Sequence, residues 1–309
     1  MNALFLSLLH AQSAELSLPL YPAVPKKNSW LQFEKFYAYR DGDDLYFQST
    51  KVLGAGAEKT AYLGWKFFRE VDETTTTLGA DEVVFLVPNK PGTWNSHEFS
   101  LIEEVEETGT PYLVQTIAHK CFGKGRGRTG CAIQDRLMTL PEYLKDHPDI
   151  SDETLHLLYT NYHRGLSALH AAGYVHKDIK SENLFVTYDE TPQGLIGDFG
   201  CSAKISEMGS PAVGMGFPSY SPELLGKATS LYRGFCASPD FSDREKTLAE
   251  SALRAIATVR KERGESDVEI PDSPPLLDRR ALSEELLCFT PRDDIFALDI
   301  IWRKINKGS

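Results

Sequence analysis

The sequence predicts an α+β protein in which a β-rich first part, residues 31–137, precedes a helical second part, residues 138–309. Strand-like runs separated by polar turns fill the first part, and helix start and stop signals recur in the second. With 309 residues, 41% of them hydrophobic, the chain can bury a sizeable core and is not globally disordered. We therefore expect two lobes with a cleft between them.

Residues 1–30 predict a flexible leader. Three prolines interrupt regular structure in its second half, namely Pro19, Pro22 and Pro25. Met1–Ala14 holds an apolar run followed by small residues, which weakly resembles an export signal, but no lysine or arginine precedes the run. The longest apolar stretch, Ala3–Leu9, is too short to span a bilayer.

Two hairpins are predicted next. In the first, Phe33–Tyr39 and Leu45–Leu53 flank a turn at residues 41–43. In the second, a polar connection joins Thr60–Val71 to Glu82–Val87. Two further strands flank the basic, glycine-rich tip at residues 123–130. The first part is therefore expected to be built around a sheet.

Helices are predicted from their caps and apolar stripes. Trp94–Glu107 carries an apolar stripe at helical spacing. In the second part, Ser151 caps a helix that Gly173 ends. Residues 224–293 are expected to be an insertion with helices at Ser242–Gly264 and Leu276–Cys288, and a last, strongly apolar helix at residues 291–304 follows it.

Charge and cysteine content exclude several classes of function. Lys and Arg number 33 against 44 Asp and Glu, and the resulting net charge of −11 argues against a polynucleotide partner. Five cysteines, an odd number without close spacing, indicate neither a disulfide framework nor a zinc site. This usage fits a reducing compartment, so a cytoplasmic location is expected.

The residues most informative about chemistry lie between 175 and 200. One loop holds the carboxylate of Asp178, the ammonium of Lys180 and the amide of Asn183, and the carboxylate of Asp198 follows a short hairpin. Phosphoryl transfer needs such a set, because a carboxylate orients the attacking hydroxyl, a cation neutralises the moving group, and oxygen ligands hold Mg²⁺.

These residues resemble the motifs of the eukaryotic-type protein kinases. His176-Lys177-Asp178 is similar to the catalytic loop, and Asp198-Phe199-Gly200 to the metal-binding motif. Ser221-Pro222-Glu223 is similar to the end of the activation segment, and Asp294 lies in a helix that resembles the one anchoring the catalytic loop. The resemblance implies a bilobal kinase-like fold, here with an abridged C-terminal lobe.

The resemblance also implies roles and cofactors. Asp178 would be the catalytic base, Lys180 would stabilise the γ-phosphate, and Asn183 and Asp198 would be the Mg²⁺ ligands. ATP and Mg²⁺ are the cofactors it implies. Lys180 is typical of members that phosphorylate serine or threonine in a protein substrate.

The sequence offers two candidates for the lysine that binds the phosphates. Gly54, Gly56 and Ala61 resemble the glycine-rich loop, in which Lys59 stands at the third glycine position. This pattern resembles the with-no-lysine kinases, because Leu86 stands where the strand lysine is expected. Lys90 is the alternative. In the helix at 94–107, Glu98 lies within the apolar stripe and is the candidate carboxylate to pair with that lysine, since an unpaired buried charge is costly.

A departure from the family pattern leaves other functions open. The chain ends soon after the helix at 291–304, so the C-lobe lacks its last helices, and a regulatory protein partner could cover that region. The main alternative is a pseudokinase that binds a nucleotide or a partner without turnover. A small-molecule kinase of the aminoglycoside type is the other, disfavoured by Lys180 and the Ser221-Pro222-Glu223 motif.

Overall fold

The computed structural model describes residues 7, 9–10, 13–56, 58–71, 76–90, 101, 103–104, 109–122, 129–205, 220–265 and 289–308. The chain divides into two compact units. One comprises Met1–Phe99 and Val114–Leu137, and the other comprises Ser100–Leu113 and Met138–Ser309. Strands build the first unit and helices dominate the second, so the predicted α+β class is confirmed.

Antiparallel strands form one sheet in the described part of the first unit, in the order β1-β2-β3-β4-β5-β7-β6. Their bounds are β1 Ser29–Phe33, β2 Phe36–Asp41, β3 Asp44–Ala55, β4 Lys59–Val71, β5 Thr76–Pro88, β6 Thr116–Phe122 and β7 Thr129–Asp135. The two expected hairpins are β2–β3 and β4–β5.

Two details of these hairpins correct the sequence analysis. The run expected as one strand at Phe33–Tyr39 is broken by a reversal that pairs Phe33 with Phe36. Glu34 takes a φ of 52° there, and the sequence has none of the Asn or Gly residues that normally mark such a turn. The second hairpin is also longer than expected, because β5 already begins at Thr76, where β-branched threonines favour a strand.

The sheet curls so that its two edges meet. The Tyr37 hydroxyl on β2 lies 3.4 Å from the Thr129 hydroxyl on β7. On the outermost strands, the rings of Trp30 and Phe122 contact each other edge to face with centroids 5.9 Å apart. The curled face encloses a buried cluster made up of Tyr37, Tyr46, Val83, Phe85, Cys131 and Ile133. These side-chain contacts join the two ends of the sheet around that cluster.

The described part of the leader packs on the opposite face of the sheet, which corrects the expectation of a flexible segment at residues 1–30. Leu18 and Tyr21 are buried against Phe47 and Phe67. The Tyr21 hydroxyl donates to the backbone oxygens of two sheet residues, Tyr37 at 3.1 Å and Gln48 at 2.8 Å. Residues 13–28 form no strand or helix, but apolar burial and these hydrogen bonds fix them to the sheet.

The second unit is built on helices α1 Leu140–Asp146, α2 Asp152–Ala171, α3 Pro222–Ala237, α4 Asp243–Arg263 and α5 Pro291–Gly308. The Ser151 cap predicted for α2 is confirmed, since its side chain accepts from the Thr154 amide, and Gly173 follows the end of the helix with a φ of 86°. The predicted bounds of α4 also agree, because Ser242 starts it with a capping box and Gly264 ends it with a φ of 67°.

Of two further predicted helices, one is described in part and the other lies outside the described residues. Leu276–Cys288 lies outside the described residues. Of Trp94–Glu107, the structure describes Leu101, Glu103 and Glu104, which are helical. None of the described helices is long and apolar enough to cross a membrane.

Helix α5 is buried on several sides within its unit. From α2, Tyr159 and Tyr162 contact the Trp302 ring, with centroids 5.2 and 6.1 Å away. From the end of α4, the Arg263 guanidinium lies over the Phe296 ring at 5.3 Å. The inserted helix α4 therefore covers part of α5, as its apolar surface required.

Short strands complete the second unit: β8 Met138–Thr139, β9 Tyr174–Val175, β10 Leu184–Val186, β11 Gly194–Ile196 and β12 Ala203–Lys204. Strand β10 pairs with β8 and β11, and β9 pairs with β12, all antiparallel. The loops between these strands carry the candidate site.

Candidate active site

The β10–β11 hairpin brings Asn183 and Asp198 close together. Leu184 pairs with Ile196, and Asn183 immediately precedes this pair. After β11 the Gly197 amide donates to the Asn183 backbone oxygen at 3.0 Å, and Asp198 follows directly. An amide and a carboxylate that are well separated in sequence thus lie at the same end of one hairpin.

The loop that contains Asp178 is held by a buried carboxylate on α5. Asp294, which is fully buried, accepts hydrogen bonds from the backbone amides of His176 at 2.8 Å and Lys177 at 3.0 Å. The Nε2 atom of His170 on α2 lies 2.9 Å from the same carboxylate. These contacts confirm that the last helix anchors the loop, and they satisfy the buried charge.

The segment after β11 is tied to the same loop. Val175 pairs with Ala203 across β9 and β12, and the Ser202 hydroxyl donates to the His176 backbone oxygen at 3.3 Å. The Phe199 ring is buried and its centroid lies 5.5 Å from that of His176. Both ends of the loop are therefore fixed relative to Asp198.

Asp178 lies at the centre of a polar cluster. The Lys180 Nζ lies 2.6 Å from the Asp178 Oδ2. The Asn183 Nδ2 donates to the Asp178 backbone oxygen at 2.8 Å and to Oδ2 at 3.1 Å. Burial lowers the pKa of Lys180, but the hydrogen bond and charge of Asp178 outweigh it, helped by Asp198, so that pKa is raised. Lys180 is therefore an ammonium at neutral pH.

The oxygens of Asn183 and Asp198 suit a hard divalent cation. The Asn183 amide nitrogen makes both hydrogen bonds to Asp178, and among the described residues its amide oxygen accepts none. Asp198 is exposed and has left-handed backbone angles of φ 60° and ψ 68°. Carboxylate and amide oxygens, completed by waters and phosphate oxygens, are the ligands that Mg²⁺ prefers. The donor set therefore fits the ion that the resemblance implies.

Lys177, the middle residue of the His176-Lys177-Asp178 motif, is only 5% exposed and has a φ of 68°. Its ammonium lies over the Phe289 ring at 5.8 Å. Burial lowers the pKa of Lys177, opposed by the charges of Cys201 and Asp294. Lys177 is therefore buried within the unit, as are its motif neighbours His176 and Asp178.

The glycine-rich segment lies in the first unit, at the turn from β3 to β4. Gly54 pairs with Ala61, and Lys59 pairs with Pro88 at the end of β5. Lys59 is half-buried and shares a sheet face with Ala61, since two residues separate them on one strand. Lys90 lies beyond the end of β5 and is exposed.

Leu86 pairs with Ala61, so the position expected for a strand lysine holds an apolar side chain on that same face. The structure therefore describes both candidate lysines at the same end of the sheet. The choice between Lys59 and Lys90 stays a prediction.

Glu98 lies outside the described residues, and its pairing with a lysine stays a prediction. Glu104, a carboxylate of the same predicted helix, is paired within the second unit. Its carboxylate accepts from the Tyr174 hydroxyl at 2.5 Å and lies 3.3 Å from the Lys204 Nζ. Tyr174 and Lys204 lie opposite each other on β9 and β12. No local sequence pattern indicates that both contact Glu104.

The Ser221-Pro222-Glu223 motif starts α3. The Ser221 side chain caps the helix and donates to Asp293 Oδ1 at 2.5 Å. Glu223 forms an exposed ion pair with Lys227 one turn later, at 2.8 Å, and this contact lowers the pKa of the Glu223 carboxyl. Lys227 therefore provides a cation for the carboxylate of Glu223.

The residues of this site lie within a match to a known protein family. The family model "Protein kinase domain" matches residues 130–234, which contain the Asp178 loop and Asp198. A probable serine/threonine-protein kinase 2 of Plasmodium falciparum is 28% identical over 57% of this chain and 32% of its own. A probable serine/threonine-protein kinase WNK8 of Oryza sativa subsp. japonica is 27% identical over 61% and 30%.

A calcium/calmodulin-dependent protein kinase type 1 of Caenorhabditis briggsae is 29% identical over 62% of this chain and 51% of its own. The chain thus spans about a third to a half of the length of these relatives. Other similar proteins also carry kinase names, among them a dual specificity testis-specific protein kinase 2 of Homo sapiens, 29% identical over 61% of this chain and 33% of its own.

Proposed function

We propose that this chain is a eukaryotic-type protein kinase that transfers the γ-phosphate of ATP to serine or threonine in a protein substrate; the protein kinase domain model matched by residues 130–234 and the kinase names of its relatives support this. The observation that carries the proposal is the Asp178 cluster. A carboxylate that is 9% exposed, an ammonium 2.6 Å away and an amide lie in one loop, and Asp294 binds the backbone at the start of that loop. Phosphoryl transfer depends mainly on such positioning and on charge.

Each residue has a distinct role in this proposal. Asp178 orients the substrate hydroxyl and accepts its proton. Lys180 turns its ammonium from Asp178 toward the moving phosphoryl group, where it offsets developing charge. Asn183 and Asp198 hold Mg²⁺, which when bound neutralises the phosphates.

The phosphate-binding roles belong to the glycine-rich segment. Gly54 and Gly56 let backbone amides approach phosphate oxygens, and Ala61 packs beside the adenine. Lys59 supplies the ammonium that binds the phosphates, and Glu98 orients it. The half-buried position of Lys59 on the face of Ala61 supports it over the exposed Lys90.

One observation favours a second candidate, a pseudokinase that binds a nucleotide or a partner without turnover. Leu86 occupies the strand position at which the family pattern has its lysine. If neither Lys59 nor Lys90 compensates, binding can persist without transfer. Retention of Asp178, Asn183 and Asp198 argues for the active enzyme.

Transfer of ³²P from ATP with Mg²⁺ to a generic protein substrate tests the proposal. We expect phosphoserine and phosphothreonine with wild type, and a loss of at least about 100-fold in rate with Asp178→Asn, which removes the base. Asp198→Ala should lose activity with a steep rise in the Mg²⁺ requirement. The matched control is Asp189→Asn, an exposed residue between β10 and β11, which should retain the wild-type rate.

The lysine variants decide the remaining assignments. Activity lost in Lys59→Met and kept in Lys90→Met supports the proposed assignment, and the reverse result overturns it. Wild type that binds ATP tightly yet transfers no phosphate would favour the pseudokinase.

A further inference from the structure

The turn that carries Lys59 is held by Asn89, the residue that follows β5. The Asn89 Nδ2 donates to the Gly56 backbone oxygen at 2.7 Å, and its Oδ1 accepts from the Thr60 hydroxyl at 2.6 Å. The Asn89 backbone amide donates to the Glu58 oxygen at 2.8 Å. One residue thus binds the turn at three points, and its amide oxygen and nitrogen have different partners.

The turn needs such a contact because its glycines allow the backbone many conformations. Within it, the Gly56 amide donates to the Lys59 oxygen at 2.8 Å and closes a short loop. Gly54 has no neighbouring atom within 4 Å of the position a Cβ would occupy, so side-chain packing does not restrain the backbone there. The contacts from Asn89 replace that missing restraint.

The Asn89 contacts extend the β4–β5 pairing into the turn. The ladder runs without interruption to the pair formed by Lys59 and Pro88, and Asn89 is the next residue on β5's side. A lysine inside a central strand is fixed by the sheet, whereas Lys59 stands at the first position of its strand. Its direction therefore depends on the geometry of the turn before it.

We infer that Asn89 is a positioning residue that holds the phosphate-binding turn and Lys59 in place. The inference rests on the proposed nucleotide-binding role of this turn. Asn89 itself does not contact the reacting atoms. It lowers the conformational freedom that the turn would lose on binding a triphosphate, so its removal weakens nucleotide binding more than it slows transfer.

Three variants separate the contacts. Asn89→Ala removes both side-chain hydrogen bonds. Asn89→Asp keeps an acceptor for the Thr60 hydroxyl but places a carboxylate against the Gly56 oxygen, and Thr60→Val removes only the Thr60 contact. The matched control is Asn28→Gly, because Asn28 accepts from the Gly42 amide at the turn between β2 and β3 and has a φ of 50°, which glycine tolerates.

Two readouts are measured on the full chain. Residue-resolved hydrogen exchange follows the Gly56 amide, and titration with ATP and Mg²⁺ gives the dissociation constant. We expect Asn89→Ala to speed exchange at Gly56 about tenfold and to weaken ATP binding about tenfold, with a larger change in KM than in kcat. Asn89→Asp should behave like Asn89→Ala or worse, Thr60→Val should show a smaller effect, and Asn28→Gly should match wild type.

The outcomes distinguish this inference from the proposed function. Unchanged exchange at Gly56 in Asn89→Ala overturns the inference, and so does faster exchange with an unchanged ATP dissociation constant. If wild type binds no ATP, the proposed function fails, and the exchange rate still decides whether Asn89 holds the turn.

Discussion

The Lys180 ammonium lies 2.6 Å from the Asp178 carboxylate, and the two side chains differ in exposure, 45% for the lysine and 9% for the aspartate. The aspartate is therefore held by its surroundings, while the lysine reaches it from the solvent side. An exposed lysine can change partners at little cost, because it leaves water only in part. The pair thus suits a base that stays in place and a cation that follows the phosphoryl group.

Replacing Lys180 by methionine tests this relationship. We expect Lys180→Met to reduce phosphoryl transfer about 100-fold, because one charged group at the developing charge is lost. ATP binding should change little. The rate is measured with saturating ATP and Mg²⁺, and Lys145→Met, an exposed lysine on α1, is the matched control. A Lys180→Met variant as fast as the control would contradict the role.

Replacing Asp294 by asparagine tests the anchoring of the loop. Asparagine has a single acceptor oxygen and presents an NH₂ group to a backbone donor, so we expect Asp294→Asn to lose about 2–4 kcal/mol of unfolding free energy, measured by urea titration. Asp299→Asn on the same helix is the control. Asp299 accepts one hydrogen bond, from the Tyr159 hydroxyl at 2.7 Å, and should lose less than about 1 kcal/mol. Equal losses of unfolding free energy in the two variants would show that Asp294 contributes no more to stability than Asp299 does.

The features that sequence predicted best are those that a few neighbouring residues determine. Ser151 and Ser242 cap their helices through amides three residues away, and Gly264 ends α4 with a positive φ. The closeness of Asp178, Lys180 and Asn183 could be predicted from the sequence in the same way, because these residues are separated by at most five positions. Short-range hydrogen bonds and caps leave a pattern in the sequence itself.

The features that sequence missed depend on contacts between distant residues. Tyr21 is fixed by the backbone oxygens of Tyr37 and Gln48, which no local pattern reveals. The pairing of Glu104 with Lys204 likewise joins a helix to a strand far along the chain. Asn89 follows Pro88, the last residue of β5, and nothing in the local sequence indicates its contacts with the turn before β4. In each case the tertiary fold, rather than local propensity, selects the partner.

Removing the Tyr21 hydroxyl tests the packing of the leader. The two backbone oxygens that it contacts are otherwise poorly placed to reach water, so we expect Tyr21→Phe to lose about 1–2 kcal/mol of unfolding free energy. Thermal or urea unfolding measures the loss, and Tyr188→Phe, with Tyr188 54% exposed, is the matched control. A Tyr21→Phe variant as stable as the control would show that the leader contributes little to the first unit.

The contact between Tyr159 and Asp299 predicts a dependence of stability on alkaline pH. Burial raises the pKa of Tyr159 to about 12, and the hydrogen bond to Asp299 and its charge add to this effect. Since the usual tyrosine pKa is 10.0, the neutral phenol contributes stability that is complete below pH 10 and is lost as the pH rises toward 12.

The free-energy advantage of wild type over Tyr159→Phe should therefore be constant from pH 7 to 9 and shrink between pH 10 and 12. Urea titrations of both proteins across this range measure it, and the constant region serves as the internal control. An advantage that stays the same up to pH 12 would mean that the Tyr159 hydroxyl ionises equally readily in the folded and unfolded chains.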